Sequence, residues 1–194
     1  MKNPITLLTV WISEELKKGA PNPQHAILST TDKDAIPHGR VIAIREINEQ
    51  GLLFFTQRGT RKVVEMTNNP VVSLTFWFEL FDEREVMIDG TIMPLTESEN
   101  KTYWDTYPAF AQIRFHSYAL TSSQVIANKQ LLENKRKTLT EQHQDKPLPM
   151  SEYYCGFRVI PRRMVFYTYR TDELSDVLEY CFINNNWEKR LLSP

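Results

Sequence analysis

What most constrains this chain is how little sequence separates its apolar stretches. Residues 25–31, 40–47 and 52–56 are each rich in β-branched and aromatic side chains, and only turn clusters at 32–34 and 48–51 lie between them. Parallel neighbours need a crossover of a dozen or more residues, so these stretches pair antiparallel and βαβ units are disfavoured. Strand patterns resume at 71–78 and 84–93, and again at 154–160, 164–168, 178–183 and 187–191 after the Pro147 to Pro149 break. Between them lie helical patterns. Leu7, Leu8, Trp11, Ile12 and Leu16 recur at helical spacing over 6–18 and stop at Gly19. Gly59-Thr60-Arg61-Lys62 opens a short helix to about Asn68, with Thr60 as its cap and Asn69-Pro70 as its stop. Thr96-Glu97-Ser98-Glu99 has capping-box spacing ahead of Tyr103 and Trp104. Residues 122–143 read as one long polar helix with sparse apolar positions at Val125, Ile126, Leu131, Leu132 and Leu139. Short antiparallel strands with inserted helices predict an α+β barrel or sandwich.

At 194 residues the chain fits a single domain, spanning 1–194. Its net charge of −1, from 23 basic and 24 acidic residues, provides no diffuse field for a nucleic-acid backbone, so any phosphate recognition must come from a local cluster of cations. Cys155 and Cys181 are too few and too far apart for a disulfide framework or a zinc knuckle, which suits reduced thiols in a cytoplasmic protein. The first twenty residues carry charges at Lys2, Glu14, Glu15, Lys17 and Lys18 and do not resemble a signal peptide, and no stretch approaches a membrane span.

The candidate chemistry lies in the basic residues. Arg40 and Arg45 are five apart, so on one regular strand they would face opposite sides of the sheet. Arg61 and Lys62 put two cations at a helix start, a ready site for a phosphate dianion, although cations at this spacing are also what a solvated surface carries. No P-loop, no dinucleotide fingerprint and no zinc signature competes with this cluster. His25, His38, His116 and His143 have no metal-ligand spacing, and Phe76, Trp77, Phe78 and Phe81 are most simply packing residues.

Arg40-Val41-Ile42-Ala43-Ile44-Arg45, then Phe54-Phe55-Thr56-Gln57-Arg58-Gly59-Thr60-Arg61-Lys62 and Asn69-Pro70, resemble the flavin-binding core of pyridoxamine 5′-phosphate oxidases. Tyr154-Cys155-Gly156-Phe157-Arg158 and the closing segment from Trp187 through Arg190-Leu191-Leu192-Ser193-Pro194 are similar to the C-terminal dimerisation segment that this family shares with phenazine-biosynthesis oxidases. The resemblance implies an FMN-binding split β-barrel, antiparallel and Greek-key-like with flanking helices. It further implies a homodimer with residues 150–194 as the dimerisation segment, and FMN at the subunit interface. Carried over by position, the flavin contacts from one subunit are Arg40, Val41, Ile42, Arg45, Phe55, Thr56, Arg61 and Lys62, while Ser122, with Thr121 beside it, matches the partner subunit's contribution. Glu85 stands where the family has glutamine, Tyr167 where it has tryptophan and Val177 where it has arginine.

The substrate side departs further. Where the family holds pyridoxamine phosphate, the matching positions here are Arg45, Tyr103, Tyr107, Ala111, Glu173 and Ser175, and only Arg45 and Tyr103 retain a phosphate-binding character. Losing one charge-assisted hydrogen bond costs roughly 1.5–3 kcal/mol, or tenfold and more in affinity. The resemblance therefore implies an FMN-dependent oxidase with an altered substrate, contacted by Arg45 and Tyr103. Three alternatives stand beside it: an authentic pyridoxamine phosphate oxidase whose clamp is rebuilt with Arg170 or Arg114, a non-catalytic flavin- or pyridoxal-phosphate-binding protein, and a barrel scaffold that binds no cofactor.

Overall fold

The computed structural model describes residues 3–143 and 146–194. The part of the leader reading that concerns Met1 and Lys2 lies outside the described residues. The elements run α1 (Pro4–Lys17), β1 (His25–Thr31), β2 (Pro37–Ala43), β3 (Glu46–Asn48), β4 (Gly51–Gln57), α2 (Arg61–Asn68), β5 (Val71–Phe78), β6 (Arg84–Pro94), α3 (Glu97–Asp105), α4 (Ala109–Tyr118), α5 (Gln130–His143), β7 (Tyr154–Thr168), β8 (Asp176–Ile183) and β9 (Asn186–Leu192), with a 3-10 turn at Ala119–Thr121. The strands form one sheet in the order β2-β1-β5-β6-β7-β4-β3, with β8 on β7 and β9 on β8. The β1–β2, β1–β5, β3–β4, β5–β6, β7–β8 and β8–β9 ladders are all antiparallel.

Local chemistry accounts for most of these boundaries. Asn3 caps α1 by accepting from the Ile5 amide, and Gly19 takes φ +97 just past its end. The Thr96/Glu99 capping box forms in full and starts α3. Asn184 and Asn185, at φ 49 and 61, supply the two left-handed residues that a two-residue hairpin needs, and Ile183 pairs with Asn186 across it.

Four expectations are corrected. The stretch 40–47 is not one strand: after Ala43 the Ile44 amide bonds Gln24 O (3.1 Å) and the Arg45 amide bonds Leu53 O (2.7 Å), so the backbone leaves β1 and joins β4. Arg40 lies on β2 and Arg45 at this switch, and the single-strand argument about their faces does not apply. The two stretches 154–160 and 164–168 are one strand, β7. Pro161 interrupts nothing because the β8 ladder begins only at Arg163, beyond the missing N–H. The polar helix starts at Gln130; Ser122 follows the 3-10 turn, and Ser123 at φ 65 breaks the helical path. Helix α4 was not expected, since its apolar residues surround it instead of forming a stripe.

The described residues group into two compact units, one of 1–54, 65–93 and 157–194, the other of 55–64 and 94–156. In the first, Leu8, Leu28, Leu52, Leu53, Phe54, Leu74, Phe76 and Phe78 are buried with Val86, Ile88 and Phe166. α1 docks there through Trp11, edge-on to Phe166 at 5.1 Å, and through Glu15, whose carboxylate accepts the Leu80 and Phe81 amides at 3.0 and 2.9 Å. Buried Arg84 lies over the Trp11 ring at 4.4 Å and bonds Glu14 at 2.8 Å. In the second unit, Trp104, Phe115, Ala119 and Tyr154 form the core, with Phe55, Tyr107, Met150 and Tyr153 packed against it.

Gly51 closes the β3–β4 turn at φ +124, and a Cβ there would meet Val159 O at 2.2 Å. Gly51→Ala is expected to cost about 2–3 kcal/mol and lower the melting temperature by about 5–10 °C, read by thermal denaturation. An unchanged melting temperature would mean that β7 yields freely at Val159.

Candidate functional site

In the second unit the cations at the start of α2 are built in. Lys62 Nζ donates to Thr56 Oγ1 at 3.1 Å and reaches Thr60 Oγ1 at 3.5 Å. Thr60 donates its own hydroxyl to Gln57 O at 2.9 Å, and its carbonyl accepts from Val63 and Val64. Thr56 and Thr60 are buried while Arg61 is exposed beside them, and Gly59 at φ +81 has open space where a Cβ would stand. Two cations and the Thr56 hydroxyl at one helix start form a donor set that fits a phosphate monoester.

The strand end that carries Thr56 also carries Gln57, whose side chain makes a second cluster. Ser122 Oγ donates to Gln57 Oε1 at 3.2 Å, and Gln57 Nε2 donates to the Tyr118 hydroxyl at 3.3 Å. Burial raises the Tyr118 pKa, against the opposing influence of Arg114 and of the Gln57 hydrogen bond. Thr121 turns its hydroxyl back to Tyr118 O at 3.4 Å.

In the first unit Arg40 points into the protein. Its guanidinium bonds Leu28 O (3.2 Å), Thr30 Oγ1 (2.6 Å) and Glu65 Oε2 (3.3 Å). Glu65 also receives the Thr30 hydroxyl and pairs with His38 Nδ1 at 2.7 Å. Burial pushes the Glu65 pKa up, but the Thr30 hydrogen bond and the His38 and Arg40 charges outweigh it and hold the carboxyl below its ordinary value. Val41 is exposed, Ile42 is buried, and Arg45 is exposed at the β2–β3 switch. Tyr167 pairs across β7–β8 with Val177 and lies 4.4 Å from the Tyr169 ring. Burial raises the Tyr169 pKa, with Glu85 and Tyr167 adding to the shift. Tyr167 and Val177, two of the positions at which the resemblance implies a changed flavin contact, are thus direct cross-strand partners.

Tyr103 and Tyr107 stand in the second unit around Phe55, at 5.1 and 6.3 Å between ring centroids, and Phe55 stacks on Tyr154 at 5.0 Å. Ala111 lies in the first turn of α4. Arg170 is held by Glu173 at 3.8 Å and Asp176 at 3.4 Å, with its amide on Ser175 Oγ, so its guanidinium is occupied locally. His116 Nε2 is 3.0 Å from Pro149 O and its ring abuts Trp104, a packing role. Burial pushes the Cys155 thiol up to about 11 and also raises Cys181; both are free. Among the described residues no cluster could hold a metal ion, and no helix is long and apolar enough to cross a membrane.

A family model described as pyridoxamine 5′-phosphate oxidase matches residues 12–143, and one described as the pyridoxine 5′-phosphate oxidase C-terminal dimerisation region matches 154–194. The chain belongs to the pyridoxamine 5′-phosphate oxidase family. Within it, the chain is 32% identical over 194 residues to the pyridoxine/pyridoxamine 5′-phosphate oxidase of Alteromonas mediterranea, covering 99% of this chain and 90% of that one. It is 30% identical over 192 residues to the enzyme so named from Acaryochloris marina, covering 99% and 86%. Among solved structures it is similar to PhzG from Burkholderia lata 383 in complex with tetrahydrophenazine-1-carboxylic acid, at a TM-score of 0.88 and 27% identity over 100% of this chain and 94% of that one. A pyridoxamine 5′-phosphate oxidase-related, FMN-binding protein from Nostoc punctiforme has the same fold at a TM-score of 0.79 and 12% identity, covering 97% and 96%. The fold is the split barrel of this oxidase family, and the cofactor that goes with family and fold is FMN.

Family likeness pointed to Arg40, Thr56, Arg61, Lys62 and Ser122. It did not point to Gln57, Tyr118, His38 or Glu65, whose partners are 25 to 65 positions away in sequence where no local pattern could reveal them. Glu65→Ala leaves the Arg40 charge without its buried partner and is expected to cost about 3 kcal/mol at neutral pH. The sign of the pH effect follows from the lowered Glu65 pKa. Its contribution is complete above the ordinary carboxylate range and is lost as pH falls through the folded-state value. Denaturant unfolding from neutral to acid pH should therefore give a flatter acid limb for Glu65→Gln than for the wild type; parallel curves would remove Glu65 from the acid response.

Proposed function

We propose that this chain is a cytoplasmic, homodimeric FMN-dependent oxidase whose substrate is not primarily pyridoxamine or pyridoxine 5′-phosphate. One contrast carries the reading. The cluster at the start of α2 keeps its cations and hydroxyls, whereas positions 103 and 107 hold tyrosines against Phe55 and position 111 is alanine. A phosphate dianion needs cations or several donors, and Tyr107 with Ala111 supplies one phenol in place of a charge and a hydroxyl. An aromatic wall instead favours a flat ring stacked on it.

When bound, FMN supplies two-electron acceptance from the substrate and reoxidation by dioxygen. The protein's part is to hold and orient. Arg61 and Lys62 neutralise the FMN phosphate, with Lys62 aimed by Thr56 and Thr60. By the family resemblance, Val41, Ile42, Arg45, Phe55, Thr56, Glu85 and Tyr167 are further cofactor contacts, and Thr121 and Ser122 serve the partner subunit's cofactor. Arg40 acts by fixing β2 through Glu65. Tyr103 and Arg45 contact the substrate. The substrate class is a reduced aromatic ring compound carrying at most a carboxylate, as PhzG in its crystal structure holds tetrahydrophenazine-1-carboxylic acid. The family match at 154–194 supports the homodimer, and the two free thiols suit a reducing compartment.

Arg61→Ala with Lys62→Ala should weaken FMN binding about a hundredfold or more at unchanged melting temperature of the apoprotein, read by flavin fluorescence titration. Unaltered affinity would move the phosphate elsewhere. Oxygen uptake by the FMN-loaded wild type should be fast on dihydro- or tetrahydro-aromatic acids and slow on pyridoxamine 5′-phosphate. Robust pyridoxal phosphate formation would instead establish the authentic vitamin B6 enzyme, and binding without turnover of any of these a non-catalytic flavoprotein.

A further inference from the structure

The end of β4 divides two clusters between neighbouring residues. Thr56 accepts from Lys62, and Gln57, the next residue, holds Ser122 and Tyr118. Successive side chains of a strand point to opposite faces, so the cation and the serine hydroxyl lie on opposite sides of one backbone. The match of Ser122 to the partner subunit's contribution, which the family resemblance implies, agrees with this division. Each chain then offers two half-sites for two different cofactors: a phosphate half at Thr56, Arg61 and Lys62, and a second half at Gln57 and Ser122.

Gln57 is what makes the second half-site definite. A serine hydroxyl alone rotates freely, and Ser122 follows a 3-10 turn where the backbone changes direction. The Gln57 amide removes that freedom by accepting the Ser122 proton at Oε1, while its Nε2 is itself anchored on Tyr118, whose ring packs against Phe115 at 5.9 Å. With its proton committed to Gln57, Ser122 turns its oxygen outward as an acceptor. We infer that Gln57 is a positioning residue that orients Ser122 toward the FMN whose phosphate is held by the partner subunit. This rests on the proposed FMN-dependent homodimer and adds a residue and a direction to it.

The test uses the full-length dimer and FMN itself, read by fluorescence titration for affinity and stoichiometry. The Gln57→Leu homodimer should bind FMN about fivefold to tenfold more weakly than wild type, the loss of one hydrogen-bonded contact. A hybrid dimer is then assembled by co-expressing differently tagged chains, one carrying Arg61→Ala with Lys62→Ala and the other Gln57→Leu. If Gln57 serves the partner's cofactor, both lesions fall in one site and the other site is intact, giving half-stoichiometric binding at wild-type affinity. If Gln57 serves its own chain's cofactor, the tighter site shows the Gln57→Leu affinity and the inference is overturned, as it is by a Gln57→Leu homodimer that binds like wild type. Should Gln57→Leu fail to fold, Tyr118→Phe keeps the ring and removes the anchor of Nε2, and the same hybrid with a smaller shift, about threefold, decides the matter. A wild-type dimer that takes up no FMN overturns the proposed function and this inference with it, whereas a flavin-binding wild type beside a hybrid with no wild-type-affinity site overturns this inference alone.

Discussion

The two-residue period of β4 governs everything the second unit can do. Phe55 and Gln57 share one face of the strand and Thr56 takes the other, so three consecutive residues enter three distinct surroundings. Phe55 joins the rings of Tyr154 and Tyr103, Thr56 meets Lys62, and Gln57 meets Ser122. A one-residue slip of this strand would exchange all of these partners together. The strand is held against such a slip by the β3 register, Glu46 to Leu53 and Asn48 to Gly51, and by the approach of Gly51 to the Val159 carbonyl, which admits no side chain.

The same logic explains which parts of the molecule can be read from sequence. Elements with their own local signals are legible: α1 from its periodic apolar stripe, α3 from its capping box, β5 from unbroken alternation between turns. Elements whose limits depend on a partner are not. β2 ends where the Ile44 and Arg45 amides find acceptors on Gln24 and Leu53, and β7 passes through Pro161 because the β8 ladder starts beyond it. Helix α4 hides because its apolar residues surround it, with Phe110 exposed and Ile113 and Phe115 buried, and the polar stretch 122–129 imitates a helix by composition while Ser123 breaks the path. At the candidate site the residue types were legible through family likeness. The wiring was not, since Glu65, Gln57 and Tyr118 act through contacts far away in the chain.

Two arginines of the basic cluster illustrate why a charge in a motif is not yet a ligand. Arg40 is largely enclosed and satisfied by Leu28 O, Thr30 and Glu65, so its guanidinium already has the partners that would make a bound phosphate favourable. Turning it outward would leave the buried Glu65 carboxylate with the His38 imidazole and the Thr30 hydroxyl alone, at a cost comparable to what the phosphate could return. Arg61 faces solvent with no such commitment among the contacts described. In the proposed function the cofactor's charge falls most economically on α2, and β2 contributes through its backbone and its rigidity.

The division between a conserved-looking cofactor clamp and an altered substrate clamp follows from how each is built. At the start of α2, Lys62 is tied to Thr56 and Thr60, and Thr60 to the Gln57 carbonyl, so the strand, the turn and the helix meet at one set of contacts. Position 107 lies on the rim of an aromatic core that Trp104, Phe115 and Tyr154 already stabilise. A tyrosine there gains ring contacts where an arginine would need a bound anion to compensate its desolvation. In the proposed reading the substrate face changes its chemistry at little cost to folding. In the proposed function a changed substrate goes with charge exchanged for aromatic surface beside a retained phosphate site.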